Sequence, residues 1–463
     1  MDSGKPASLS ESLWRHAGAV RYETLPAPVV EKVKDLALDT LGVALGSASL
    51  DFGVAARALV RSWESSGGAS VIGDARRVPA HAAALANGVL AHGQDFDDTH
   101  TESVTHPSAC VVPTALAVAE SRGASGGDAI AAMAAGFESM IRLALPARNQ
   151  FHLHGFHTTS ITGTFGAAII AAKLDGLDDA AATNAIGVAG SFTSGLLECV
   201  PAGAGSKRLH AGWAGMSGIL AARFAAHGLT GPATVFEGRL GVFNSFLRGE
   251  TVALAEILDG LGEEWTLLDT RPKLYPCCHY LQSFIDCALW LREEHGVRPE
   301  DVSSVRCRVA AGSVNMICTP WAVKQAPRDA YEAKFSLPFA VAIALHDGRA
   351  GTAEFTLDNA RRPGIAALMS RVSFEVDPAF SVKDMPGFVE LTLVDGRTVT
   401  RLQPCVRGDR AAPVPRVELL HKFHDNLRAT PFASRADAIA TAVIGLDAQP
   451  GLGELGALLR GDG

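Results

Sequence analysis

The sequence predicts a mainly α protein with a large helical part and a smaller α+β region. Between about residues 28 and 265, apolar residues recur at spacings of three and four, which is typical of amphipathic helices. After Trp265, short segments alternate apolar and polar residues, as half-buried strands do. From about Pro415 the helical spacing returns. At 463 residues the chain exceeds one ordinary core, so we expect two domains.

The predicted helices of the first part are rich in Ala, Leu, Val and Ile and are joined by short Gly-containing segments. Pro28 is expected in a first helical turn, where its missing N–H costs nothing. Several segments also carry many small residues, which indicates close approach between helices. The predicted helices are Pro28–Leu45, Ala80–Ala91, Pro107–Glu120, Asp128–Leu145, Ser160–Leu174, Ala180–Ser191 and Leu209–His227.

The region after Trp265 mixes both patterns. Residues 394–397 (Val-Asp-Gly-Arg) form a strong hairpin-turn signal between two of the predicted strands. The predicted strands are Val302–Val309, Arg371–Val376, Phe388–Leu393 and Val399–Leu402. The predicted helices are Gln282–Glu294 and Phe335–Leu345 here, with Val417–Leu427 and Arg435–Gly445 near the C-terminus.

Composition excludes several classes of function. The net charge of −8 gives no electrostatic reason to bind nucleic acid. No apolar run reaches the roughly 18 residues that span a bilayer, and the N-terminus lacks the pattern of a signal peptide. The eight cysteines match no zinc or iron–sulfur spacing. We therefore expect a cytoplasmic protein with free thiols, no nucleic-acid partner and no membrane partner.

The densest group of titratable side chains lies between two predicted helices. The stretch His92–His106 carries three aspartates, one glutamate and three histidines. Because Pro107 favours the first turn of a helix, His106 should lie at that helix's N-terminus, where the dipole helps to keep an imidazole neutral. A neutral imidazole is the form that a general base needs. The alternative is structural, with capping of helix ends by Asp97, Asp98 and Thr99.

Three histidines precede the predicted helix that starts near Thr159. A His-x-His pair such as His152 and His154 can chelate zinc, so a metal site with Asp97 or Asp98 is one interpretation. No His-x-x-x-His pair on a helix accompanies it. We therefore favour a metal-free pocket in which His157 points inward and the other two histidines lie at the surface or in packing.

Two further segments are candidates for ligand binding. The loop Gly203–His210 runs into a helix and carries Lys207 and Arg208, which suits a carboxylate or a phosphate. It lacks the P-loop spacing, so ATP is not indicated, and a solvated cation pair is the alternative.

The segment Lys273–Tyr280 lies where the composition changes, and inter-domain crevices are common ligand sites. One of its adjacent cysteines could act as a nucleophile with His279. We favour the alternative, in which both cysteines are buried small apolar residues.

Together these four groups resemble the MmgE/PrpD family, which includes 2-methylcitrate dehydratase, cis-aconitate decarboxylase and iminodisuccinate epimerase. The resemblance covers roughly residues 10 to 460. The matching motifs are His92-x-x-Asp95-Phe96-Asp97-Asp98-Thr99 with His106-Pro107-Ser108, Phe156-His157-Thr158-Thr159 with Gly163-Thr164-Phe165-Gly166, Lys207-Arg208-Leu209-His210-Ala211-Gly212, and Lys273-x-Tyr275-Pro276-Cys277-Cys278.

The resemblance implies an all-α helical domain over residues 1–269, an α+β lid domain over 270–404, and C-terminal helices over 405–463 that return to the helical domain. It also implies a homodimer, an active site between helical domain and lid, and a small polycarboxylate substrate handled without metal or organic cofactor. Carried over by motif position, the site residues are Asp95, Thr99, His106, His157, Lys207 and Lys273. To the substrate-binding residues we add Arg208, Cys278 and His279.

Two departures separate this chain from the decarboxylase. A histidine five positions after the hinge lysine is replaced here by Cys278, with His279 next along, and a later tyrosine aligns with Phe339. The gap between Asp98 and His106 is also shorter than in the methylcitrate dehydratases. The resemblance thus identifies the family and leaves the member open.

The site residues suit proton chemistry beside a carboxylate. Lys207, Arg208 and Lys273 would hold two substrate carboxylates and stabilise an enolate-like intermediate, and His106 or His157 would remove the α-proton. Asp95 would orient a histidine, and Thr99 would hydrogen-bond the substrate. We expect a hydratase or dehydratase acting on a 2-methylcitrate-like acid.

Four alternatives remain open. Two lie within the family: an epimerase of the iminodisuccinate kind and a decarboxylase of a cis-aconitate-like acid. Outside it are a metal-dependent hydrolase and a non-catalytic binding protein. The hydrolase would use His92, Asp97, Asp98 and His154.

Overall fold

The computed structural model describes residues 7–200, 202 and 204–461, which form two compact units. One unit contains the chain up to Thr270 together with the part from Arg416 onward, and the other is Arg271–Pro415. The segment after residue 404 belongs to the second unit because Val406 N–H donates to the Asp384 carbonyl at 2.8 Å and Arg271 pairs with Asp409.

The structure is mainly α-helical, as the sequence predicts. Helices and strands are numbered separately along the chain. The α-helices are α1 Leu9–Ala19, α2 Ala27–Ser47, α3 Asp51–Ser62, α4 Ala80–His92, α5 Ser108–Arg122, α6 Gly126–Ala144, α7 Gln150–Leu153, α8 Thr158–Leu174, α9 Asp179–Ala189, α10 His210–Ala226, α11 Val242–Phe246, α12 Gln282–His295, α13 Val314–Ile317, α14 Trp321–Gln325, α15 Ala330–Ala333, α16 Leu337–Asp347, α17 Leu357–Ala360, α18 Pro363–Ser370, α19 Arg416–Leu427, α20 Ala436–Ile444 and α21 Gly453–Leu459. The strands are β1 Ala69–Ser70, β2 Arg77–Val78, β3 Val302–Val309, β4 Val372–Val376, β5 Gly387–Leu393 and β6 Thr398–Gln403.

Every helix and strand predicted from periodicity is confirmed to within a few residues. Local signals set several of the ends. Helix α6 begins with a capping box in which Ser125 and Asp128 bond each other's backbone N–H groups. Helix α5 ends at Gly123, whose φ of 66° is a left-handed conformation that glycine adopts without strain.

The second unit contains a four-stranded sheet in the order β4-β3-β5-β6. Strand β3 is parallel to β4 and antiparallel to β5, and the predicted turn at residues 394–397 joins β5 to β6. Helix α12 packs against β5, β6 and α16, and buried apolar side chains fill the space between them.

Among the described residues, no single helix has the length and apolar character needed to cross a bilayer. The pair α2 and α3 passes that test together, with a bend of 90° between them.

Glycines let the central helices of the first unit approach backbone to backbone. A Cβ on Gly88 of α4 would lie 2.5 Å from Gly212 Cα of α10, and one on Gly212 would lie 2.2 Å from the Leu85 carbonyl oxygen. On α8, the Thr164 carbonyl oxygen would lie 2.5 Å from a Cβ on Gly218. The small residues that the sequence places along these helices therefore bring α4, α10 and α8 together.

We predict that Gly212→Ala destabilises the protein by about 1–3 kcal/mol, because the new methyl group meets backbone that cannot move freely. The sign of the stability change is informative, because helix propensity alone would make the alanine variant more stable than glycine by about 0.8–1 kcal/mol. Chemical denaturation measures the difference. Gly453→Ala is the control, because nothing lies within 4 Å of a Cβ there. Equal stability of the two variants would contradict the close crossing.

Candidate active site

The loop between α4 and α5 carries the aspartates and follows a constrained path. Asp95 has φ of 57° and Val104 has φ of 54°, and for a β-branched residue such as Val104 this left-handed conformation is costly. A short antiparallel bridge between His100 and Thr105 closes the intervening turn. Conformations of this kind persist only where surrounding contacts enforce them.

A lysine from the C-terminal segment supplies one such contact. Lys422 Nζ of α19 donates to the Phe96 carbonyl at 3.0 Å and pairs with Asp39 of α2 at 2.6 Å. Both charged side chains are buried, and Lys422 Nζ also lies 3.8 Å from the centre of the Phe96 ring. The C-terminal helices thus hold the aspartate loop.

Four histidines, His92, His106, His157 and His210, meet at the ends of helices and form what we call the histidine cluster. The His92 ring centre lies 5.2 Å from that of His106 and 5.5 Å from that of His157. His157 and His210 share a hydrogen bond of 3.0 Å between their Nδ1 atoms. The inward position expected for His157 is observed, and its ring is buried.

Hydrogen bonding fixes the tautomer of His106. Its Nδ1 lies 2.7 Å from the Asp98 carbonyl oxygen, which can only accept, so Nδ1 carries a proton and the neutral form of the ring has its lone pair on Nε2. The His106 backbone N–H donates to Thr159 Oγ1 at 3.0 Å, and Thr99 Oγ1 is 3.4 Å from Nδ1. The geometry suits a general base acting through Nε2.

Burial keeps two histidines of the cluster neutral. It lowers the pKa of His157 well below its usual value, and the charges of His92 and Lys207 act in the same direction. Burial likewise lowers the pKa of His210 to about 4. His157 caps α8 and His210 begins α10, so both lie at helix N-termini, where the dipole also disfavours a cation.

The lysine whose charge acts on His157 and His210 is paired with the first aspartate. Lys207 Nζ lies 3.0 Å from Asp95 Oδ1, and both side chains are largely buried. Arg208 Nε donates to the Gly93 carbonyl at 3.0 Å, and its guanidinium lies 4.9 Å from the centre of the Phe52 ring. Arg208 therefore secures the end of α4, and its expected contact with substrate stays a prediction. Gly203, at the start of the predicted loop, lies outside the described residues.

The other two aspartates, Asp97 and Asp98, have different partners. Asp97 Oδ2 lies 2.6 Å from His92 Nδ1 and 3.8 Å from His106 Nδ1. Asp98 instead accepts from the N–H and the hydroxyl of Ser108 at the start of α5. Burial raises the pKa of Asp98 to about 7. Asp98 thus has the capping role considered from the sequence, and Asp97 fits the histidine-orienting role expected for Asp95.

The remaining candidates lie in the second unit. Lys273 and His279 are buried, and Cys278 N–H donates to the Lys334 carbonyl at 2.8 Å. Cys277 and Cys278 form no disulfide and are buried within the apolar core of that unit, in line with the small-apolar interpretation. Phe339 is fully buried against Phe355. Participation of Lys273, Cys278 and His279 in one site with the histidine cluster stays a prediction.

His152 and His154 lie outside the histidine cluster. His152 packs its ring 5.6 Å from that of His157, and burial lowers its pKa to about 4. His154 lies 4.0 Å from Glu250. Across residues 7–200, 202 and 204–461, no group of three or more His, Cys, Asp or Glu side chains is arranged to hold a metal ion.

Three site residues were not assigned to catalysis or substrate binding within the family from the sequence: His92, Asp97 and His210. From the sequence, His92 and Asp97 are candidates for a metal-dependent hydrolase. All three lie within the quoted motifs, so the signal was present. The sequence does not show that His210 pairs with His157, because the two residues are 53 positions apart.

Neutral buried histidines beside a lysine–carboxylate pair, on a mainly helical frame, define an α-helical enzyme site suited to acid–base chemistry. The chain belongs to the MmgE/PrpD family: the model of the MmgE/PrpD N-terminal domain matches residues 11–255, and that of the C-terminal domain matches residues 275–447.

Several relatives are cis-aconitate decarboxylases. The one from Aspergillus terreus is 25% identical over 96% of this chain and 94% of its own length. The human one is 29% identical over 90% of this chain and 88% of its own. The mouse one is 26% identical over 98% and 94%, respectively.

We predict that Lys422→Met destabilises the protein by about 3–5 kcal/mol, because it leaves Asp39 as an unpaired buried carboxylate. The double variant Asp39→Asn/Lys422→Met should recover part of that loss, since the buried charge is then gone. Urea denaturation of the wild type and of both variants tests this. A double variant no more stable than the single one would contradict the pairing.

Replacement of His152 should change how stability depends on pH. Its folded-state pKa of about 4 lies below the usual 6.5, so the unfolded chain binds more protons between these values and His152 costs stability as pH falls through this range. The free energy of unfolding of His152→Gln, relative to that of the wild type, should therefore rise as the pH is lowered from 6.5 to 4. The rise should reach up to about 3 kcal/mol, at roughly 1.4 kcal/mol per pKa unit. Replacement of the exposed His227 is the control. A stability difference between His152→Gln and the wild type that does not change with pH would contradict the burial effect.

Proposed function

We propose that this protein is a lyase that acts on a small polycarboxylate by proton transfer next to a carboxylate group. The observation that carries the proposal is the position of His106. Its Nδ1 is held by the Asp98 carbonyl, so Nε2 is the nitrogen that can act as the base, and its ring belongs to a cluster beside the Lys207–Asp95 pair. A desolvated base close to a cation suits removal or delivery of a proton at a carbon that bears a carboxylate.

The arrangement also favours an anionic substrate. Lys207 supplies a positive charge, and α5, α8 and α10 begin at or next to His106, His157 and His210. Backbone N–H groups at helix N-termini favour carboxylates. In this proposal Lys207 binds one substrate carboxylate and the helix ends stabilise the negative charge that develops during the reaction. Lys273 and Arg208 are proposed to complete the carboxylate contacts.

Decarboxylation of a cis-aconitate-like acid is the reaction to test first, because relatives that share nearly the full length of this chain carry that name. In that reaction the bond to one carboxylate breaks, carbon dioxide leaves, and a histidine delivers a proton to carbon. The second candidate is dehydration of a 2-methylcitrate-like acid, in which the proton goes to the leaving hydroxyl. Cys278 and Phe339, the two departures from the decarboxylase, count against decarboxylation, and the short gap between Asp98 and His106 is a departure from the methylcitrate dehydratases.

We also propose that the protein forms a homodimer and that the α+β unit acts as a lid on the site, in keeping with the family. Sedimentation or light scattering at several concentrations tests the dimer. A monomer at every concentration would contradict it.

A panel of acids identifies the reaction. Citrate, 2-methylcitrate, cis-aconitate, iminodisuccinate and tartrate are each incubated with the protein in deuterated water and followed by proton NMR. Decarboxylation gives carbon dioxide and a product with one carbon fewer that carries solvent deuterium. Dehydration gives a new double bond without carbon dioxide, and epimerisation gives deuterium exchange into recovered substrate. The absence of all three with every acid would contradict the proposal.

Two variants test the site assignment. His106→Ala and Lys207→Ala should each lower kcat/KM by at least about 100-fold, the lower end of the usual contribution from general acid–base catalysis. The far-ultraviolet circular dichroism should not change. His227→Ala, at an exposed position, should keep the wild-type rate. Near wild-type rates for both site variants would overturn the assignment.

A further inference from the structure

His92 differs from the other members of the histidine cluster in its electrostatic surroundings. It is the last residue of α4, so it lies at the negative end of a helix dipole, whereas His157 and His210 lie at positive ends. Its Nδ1 is also the ring nitrogen bonded to the Asp97 carboxylate, at 2.6 Å. Both features favour a positive charge on this ring, and no other ring of the histidine cluster combines a helix C-terminus with a carboxylate at hydrogen-bond distance.

The opposite nitrogen of His92 has no hydrogen-bond partner among the described residues. His92 Nε2 is buried, and the side chain as a whole is 1% exposed. A buried polar atom left without a partner costs about 1–3 kcal/mol, and native structures retain few of them. Because the ring lies 5.2 Å from that of His106 and 5.5 Å from that of His157, which are 6.1 Å from each other, we place the group that satisfies Nε2 among these rings.

We propose that His92, held by Asp97, is the proton donor of this site and that its Nε2–H faces the substrate. The proposal rests on the proposed function and deepens it. In decarboxylation, the bond from carbon to the departing carboxylate breaks and leaves its electron pair on the chain, where an adjacent carboxylate shares the charge. The His92 Nε2–H bond then breaks as a C–H bond forms. His92 becomes neutral and regains a proton from solvent before the next turnover.

In dehydration the same proton goes to the leaving hydroxyl, which departs as water, while His106 removes the α-proton through Nε2. Each reaction therefore uses His92 as the acid, while His106 acts as the base in dehydration and as a contact for the substrate in decarboxylation. Asp97 acts through His92 and is a positioning residue.

The kinetic test uses His92→Gln, in which a side-chain amide can donate a hydrogen bond near the Nε2 position but cannot transfer a proton. We expect kcat to fall by about 100-fold or more, with KM within about threefold of wild type. Asp97→Asn should lower kcat in the same direction. His152→Gln is the matched control, because His152 Nε2 is also buried without a partner beside His157 but has no carboxylate bonded to its ring. It should keep kcat within about threefold.

Retention of kcat in His92→Gln would overturn the proposal, as would a loss confined to KM or a loss no larger than that of His152→Gln. Thermal unfolding of each variant checks that it folds. If His92→Gln does not fold, Asp97→Asn and the binding measurement below decide.

The binding measurement does not depend on turnover, so it separates this proposal from the proposed function. The wild-type protein is labelled with ¹⁵N in histidine only, and propane-1,2,3-tricarboxylate, a saturated analogue that cannot react, is added to saturation. We expect the His92 Nε2 resonance in the complex at the position of a protonated nitrogen, and Asp97→Asn should move it toward the unprotonated position. An unprotonated His92 Nε2 in the complex overturns the role of His92. A protonated Nε2 without turnover of any acid in the panel overturns the proposed function and leaves His92 as a contact for carboxylates.

Discussion

The candidate site depends on one packing constraint, the backbone contact that glycines allow between α4, α10 and α8. Gly212 and Gly218 place α10 against both neighbours with no room for a side chain at either crossing. The crossings bring together His92 at the end of α4 and the histidines that precede or begin α8 and α10. Because the helices touch directly, little water reaches these rings, and their acid–base behaviour follows from that desolvation.

Charges buried by the same packing are compensated one by one. Asp39 has Lys422 and Asp95 has Lys207, while Asp97 shares a hydrogen bond with His92. Removing one member would leave an uncompensated charge in a poorly solvated place, which costs far more than the pair contributes when intact. Two members of the histidine cluster, His157 and His210, are kept neutral. The result is a site in which one ring is bonded to a carboxylate and two others are held neutral by burial.

Sequence periodicity predicted the helices and strands because the amphipathic pattern is local. Local reasoning also predicted that His106 precedes a helix and that His157 points inward, and both are observed. The pairings of His157 with His210 and of Lys422 with Phe96 were not predicted, since they join residues 53 and 326 positions apart. From the sequence, the orientation of a histidine is assigned to Asp95, whereas Asp97 makes that contact in the structure. The sequence does not show which aspartate side chain faces a histidine, because this depends on the left-handed backbone at Asp95, where φ is 57°.

The most direct test of the central claim, that the histidine cluster beside Lys207 binds a polycarboxylate, is a crystal structure with propane-1,2,3-tricarboxylate bound. We expect one carboxylate at about 2.7–3.2 Å from Lys207 Nζ and the carbon chain beside His106 Nε2. A ligand bound elsewhere while the cluster contains only water would contradict the account.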